Sequence, residues 1–111
     1  MTQETASKVA GFLGLCTRAG RLSFGQEACV KAVRKGEATV VLLDEGASEN
    51  TRKRLRDACQ SHGVPLYGMP EGRIAQAVGK EGRMVASIGG GGMAQKLLKL
   101  LEGETPMNQG D

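Results

Sequence analysis

The run Ala38-Thr39-Val40-Val41-Leu42-Leu43 is continuous, rich in β-branched residues and of strand length. A strand with one wet face alternates apolar and polar residues. One that does not alternate belongs in the middle of a sheet, covered on both sides. The flanking sequence supplies the covers. Val9, Phe12, Leu13 and Cys16 recur at i, i+3, i+4 and i+7 and mark an amphipathic helix from about Thr5 to Thr17, ending near Gly20. Leu22 and Phe24 alternate with Arg21 and Ser23 in a short strand, and Gly25 breaks that period. From Gln26 to Lys35 the pattern is helical again, with Cys29, Ala32 and Val33 inward, Glu27, Lys31, Arg34 and Lys35 outward, and Gly36 as the stop.

Beyond the central run, Ser48 or Asn50 can cap a third helix to about Ser61, whose narrow apolar face is Leu55, Ala58 and Cys59. Val64 to Tyr67 reads as a strand, and because Pro65 forfeits a ladder donor the strand lies at or near an edge or begins there. Glu71 to Val78 is a short helix and Met84 to Ile88 the last strand. A final helix carries Met93, Leu97, Leu98 and Leu101 on one side. Strict alternation of this kind predicts an α/β fold, a single-domain three-layer α-β-α sandwich with a central mixed sheet. At 111 residues one core is expected. The domain is read as residues 1–103, with residues 104–111 a flexible tail.

Seventeen glycines, about 15% of the chain against an average of about 7%, are largely punctuation for these short elements. Gly20, Gly36, Gly63 and Gly79 read as helix stops, Gly89 to Gly92 as a flexible strand-to-helix connection, and Gly103 and Gly110 as tail. With two Phe, one Tyr and no Trp, the chain lacks the aromatic platforms on which single strands stack their bases. No apolar run approaches membrane-span length and no secretory signal opens the sequence, so the expected address is cytoplasmic, away from membranes. Three Cys without C-x-x-C spacing suggest neither disulfides nor a zinc site, only small core residues.

Catalytic candidates are weak, and neither a catalytic residue nor a metal or other cofactor is expected. His62 is the only histidine and sits just before a helix stop, where a cation is locally favourable. Asp44 and Glu45 end the central strand, where α/β folds keep functional groups, but adjacent acids in a turn are also ordinary loop composition. The Gly89 to Gly92 run leads into a helix but lacks the Gly-Lys-Ser/Thr of a phosphate-binding loop, and it does not follow the first strand as a dinucleotide fingerprint would.

Charge is more informative by place than by total. The net charge is only +3, yet residues 18–36 carry +4, through Arg18, Arg21, Lys31, Arg34 and Lys35 against Glu27. A second cluster, Arg52, Lys53, Arg54 and Arg56, lies on the third helix. Brought together, the two would attract phosphate; kept apart, they are solvated helix faces. The strongest constellation opens at Gly25, which lets a partner approach the backbone closely. The first-turn amides can bind phosphate, Gln26 and Glu27 add hydrogen-bonding groups, and Lys31 lies one turn along the same face as Glu27. The alternative is an ordinary Glu27–Lys31 pair on a wet helix.

The segments Gly25 to Gly36, Ala38 to Glu45, Val64 to Tyr67 and Ile74 to Glu81 resemble, in order and spacing, the kink-turn-binding ribosomal protein superfamily of archaea and eukaryotes. Leu13-Gly14-Leu15 with Arg18-Ala19, Gly46 to Thr51 and Gly79 to Arg83 are similar to its bacterial YlxQ branch, and the likeness spans about residues 8–102. The resemblance implies an α-β-α sandwich that binds kinked RNA helices through the start of the second helix and the loop before the last strand. In the family motif, G-x-N-E followed by a Lys three residues on, Gly25 and Lys31 match, whereas Glu27 replaces the Asn and Ala28 the Glu. The apolar loop residues are replaced by Lys80 and Gly82, and Glu81 is kept. The implied function is non-catalytic binding of structured RNA, kinked or ribosomal, within a ribosome or other ribonucleoprotein. Shape and phosphate would be read rather than the guanine edges of a standard kink-turn. The expected contacts are Gly25, Gln26, Glu27, Lys31, Arg34, Lys80, Glu81, Gly82 and Arg83. Two other roles fit the same residues: a substrate-binding accessory domain for an RNA-modifying enzyme, and a protein-interaction adaptor.

Overall fold

Thr2 starts the first helix. In the computed structural model, which describes residues 1–108, its hydroxyl accepts from the Thr5 amide at 3.1 Å and caps α1 (Gln3–Arg18) two residues earlier than the apolar spacing alone suggests. The chain continues through β1 (Leu22–Phe24), α2 (Gln26–Arg34), β2 (Val40–Asp44), α3 (Glu49–His62), β3 (Leu66–Met69), α4 (Arg73–Val78), β4 (Val85–Ile88) and α5 (Gly91–Leu100). Of the two candidate caps for α3, Ser48 is the one used, its hydroxyl accepting from the Thr51 amide at 3.2 Å. Gly63 ends α3 in the left-handed conformation, as its place in the sequence predicts.

The strands form one mixed sheet in the order β1-β4-β2-β3, with β2 and β3 parallel and the other pairings antiparallel. β2 is buried along its whole length. Successive side chains of a strand point to opposite faces. Thus Val40 and Leu42 join Ala86, Ile88, Tyr67 and Met69 in a core roofed by α1, α4 and α5. Val41 and Leu43 join Leu66 and Val85 in a second core under α2 and α3. This is the predicted three-layer α-β-α sandwich. Cys16, Cys29 and Cys59 are buried free thiols, as their helical positions predict. No helix among the described residues is long and apolar enough to cross a membrane.

β3 pairs with β2 alone and is an edge strand, but it starts later than expected, at Leu66. Pro65 lies before it and gives its carbonyl to the Val41 amide at 3.1 Å, so its missing N–H costs the ladder nothing. The outer edge of β3 is not open. The Met107 amide donates to the Leu66 carbonyl at 2.6 Å. The Asn108 side chain accepts from the Leu66 amide at 3.1 Å and donates to the Val64 carbonyl at 2.8 Å. Met107 and Asn108, within the segment 104–111 read from composition as a flexible tail, thus hold defined contacts on the sheet edge, while 109–111, with Gly110, lie outside the described residues.

The Gly89 to Gly92 connection is also more fixed than its composition implies. Arg21 donates to the Gly89 and Gly90 carbonyls at 3.0 and 2.6 Å, and the Gly90 amide donates to the Thr39 hydroxyl at 3.0 Å. Gly89 passes so close to the Glu37 carbonyl that a Cβ there would collide with it. Asp44 has a structural role as well. It is buried, and its carboxylate accepts from the Gly46 amide at 2.6 Å and the Gly72 amide at 2.8 Å, joining two loops at the end of β2.

Candidate nucleic-acid interface

Gly25 turns the chain from β1 into α2. Its φ of 88° and ψ of 159° fall in a region essentially closed to residues with a Cβ, so glycine is demanded by the backbone itself. Its amide is tied to the Val85 carbonyl at 2.9 Å, fixing the start of α2 against β4. Gly25 offers no side-chain cap to the first turn of α2. The first-turn amides, at the positive end of the helix dipole, are therefore left without a side-chain partner from the cap position.

Three segments far apart in sequence meet at this point. The loop before β4 brings the Arg83 guanidinium to 3.5 Å from where a Cβ of Gly25 would lie. The same loop sets the Lys80 ammonium 6.0 Å from the centre of the Phe24 ring, at the outer limit of cation–π range. Glu81 and Gly82 are exposed on that loop. From the other side comes the start of α3, where the Thr51 hydroxyl donates to the Gln26 side-chain carbonyl at 2.7 Å. Lys31 and Arg34 follow on the exposed face of α2.

Glu27 does not pair with Lys31. Its carboxylate takes both terminal nitrogens of Arg54, one of them at 3.0 Å, in a two-point ion pair from α2 to α3. Those hydrogen bonds hold the Glu27 carboxyl below its ordinary range. Partly neutralising the acid matters, because a bare carboxylate at this end of the helix would repel phosphate. Thr51 and Arg54 are the residues that the local sequence pattern did not single out for the site. Arg54 was visible only as one member of a basic cluster, since no periodicity links residues so distant along the chain. Ala28 is exposed and brings no polar side-chain group.

His62 ends α3, with Nδ1 3.0 Å from the Ala58 carbonyl, the helix-end role its position suggests. Among the described residues no three His, Cys, Asp or Glu side chains gather as a metal ion would require.

This mixed-sheet α-β-α sandwich is shared with known proteins. The chain belongs to the Ribosomal protein L7Ae/L30e/S12e/Gadd45 family, whose model matches residues 7–97. It is 39% identical over 92 residues to the RNA-binding protein YlxQ of Bacillus subtilis (strain 168), covering 81% of this chain and 91% of that one. It is 35% identical over 104 residues to the RNA-binding protein YlxQ of Enterococcus faecium, covering 93% of this chain and 100% of that one. Among solved structures it matches a protein of unknown function from Bacillus halodurans C at a TM-score of 0.79 and 35% identity, over 86% of this chain and 97% of that one. The Giardia lamblia 15.5kD RNA binding protein shares the fold at a TM-score of 0.70 and 19% identity, over 90% and 92% of the two chains.

Proposed function

We propose that this protein is a non-catalytic RNA-binding protein that takes structured RNA, kinked or ribosomal, on the surface formed by the start of α2 and the loop before β4. The observation that carries the reading is the convergence of Arg83 and Lys80 on the uncapped, glycine-started α2. Together they make a cationic, amide-rich corner suited to phosphate. The names of the two YlxQ relatives support RNA as the partner. Gly25, Gln26, Lys31, Arg34, Lys80, Glu81, Gly82 and Arg83 form the contact surface. Glu27, tied to Arg54, meets RNA as an acceptor and cannot donate as the family's Asn does. With Ala28 beside it, the surface reads backbone shape in preference to guanine edges.

The test is a salt titration of binding to a kink-turn RNA and to a plain duplex. Affinity for both should fall steeply with salt, and Lys31→Ala should lower the log–log slope by about one, the mark of a lost phosphate contact. Absence of salt-sensitive binding to either RNA contradicts the proposal.

A further inference from the structure

Between the outer faces of α2 and α3 runs a groove of about 210 Å³ lined by Arg34, Arg54, Asp57, Ala58, Ser61 and His62. It is continuous with the corner already described, because Arg54 both lines the groove and holds Glu27. We propose that this groove is a second tract of the interface, carrying the sugar-phosphate backbone of a helical stem away from the start of α2. The inference rests on the reading of the chain as an RNA binder and adds the path that the RNA takes.

The lining has the chemistry of a backbone site. Ala58 is its single apolar member, so it offers little to a hydrophobic peptide or a lipid tail. Arg34 supplies a planar guanidinium that matches phosphate, Arg54 has only the donors that its pair with Glu27 leaves over, Lys31 and Lys53 are exposed on the same two helices, and Lys35 is exposed just after α2. Opposing them are Glu27, engaged by Arg54, Asp57 within the groove and Glu49 in the first turn of α3. From Arg54 to His62 the helix rises about 12 Å, room for a short tract of backbone. The far end adds groups for ribose. The Ala58 carbonyl beside Nδ1 of His62 can only accept, so Nδ1 donates to it and Nε2 is left for another partner. With the Ser61 hydroxyl next to it in the lining, that pair suits a 2′-hydroxyl, which both donates and accepts.

The experiment compares one kinked RNA core bearing either a long or a truncated stem, extended on each side in turn, by salt titration. Wild-type protein should bind one long-stem RNA more tightly and with a steeper salt slope than its truncated form. Asp57→Lys, at an exposed position, should steepen the slope by about one and raise affinity severalfold for that long stem only. Ser61→Ala with His62→Ala should erase any preference for ribose over deoxyribose in that stem. Equal binding of long and truncated stems, or Asp57→Lys acting alike on both, overturns the groove while leaving the corner intact. Binding to neither RNA overturns the RNA reading itself.

Discussion

At the scale of single residues, the proposed interface turns on Gly25 and Glu27. The backbone of Gly25 occupies a region that costs other residues about 1–3 kcal/mol. Gly25→Ala is therefore expected to lower the thermal midpoint by several degrees, at about 4–8 °C per kcal/mol. An unchanged melting curve contradicts the strain argument. In the RNA-binding reading proposed above, Glu27 bears on specificity. An amide at 27 and a carboxylate at 28 would restore the donor and acceptor that the family uses on guanine. Each good base contact is worth about 1–3 kcal/mol of discrimination. Glu27→Asn combined with Ala28→Glu should thus raise the preference for a kink-turn over a plain duplex by roughly tenfold or more, read in a competition binding assay. Because Glu27 is held by Arg54, the double variant also releases Arg54. The single variant Arg54→Gln separates that effect from base reading.

At the scale of elements, the sheet edges show how much a few hydrogen bonds can organise. β3 has one strand neighbour, and its other side is closed by Met107 and by the two bonds of Asn108. Left open, such an edge would be a template for pairing with another chain. Asn108→Ala removes two bonds whose partners can partly rehydrate, so a loss of about 1–2 kcal/mol is expected. Hydrogen exchange at the Leu66 amide should accelerate in the variant. Exchange unchanged from wild type would show that this cap contributes nothing to the edge. The glycine run illustrates the same point from the sequence side. Composition reads Gly89 to Gly92 as loose, whereas Arg21 and Thr39, both distant in sequence, pin its backbone.

At the scale of the whole molecule, one sheet serves two cores, and the layer under α2 and α3 contains two buried thiols. Burial pushes the Cys29 thiol up to about 11 and the Cys59 thiol up to about 12, from an ordinary 9.0. In the unfolded chain these thiols ionise near the ordinary value while the folded protein still holds their protons. The unfolded state then binds fewer protons, and stability falls as pH rises above about 9, by up to about 1.4 kcal/mol per pH unit per thiol. Urea midpoints should drop between about pH 9 and about pH 11, with a shallower drop in Cys59→Ala. Identical pH profiles for the two proteins contradict that role for Cys59. The element order, the central position of β2 and the split of its residues between two faces were legible in the sequence, because period and apolar content act through near neighbours. Gly25 was legible for the same reason as the break between β1 and α2, whereas its positive φ was shown only by the structure. The partner of Glu27, the clamp on Gly89 and Gly90, the burial of Asp44 between two loops and the docking of Met107 and Asn108 were decided only by the tertiary structure. Each joins groups that the sheet order brings together across space, and a sequence pattern carries no signal for a contact whose two ends have no fixed spacing along the chain.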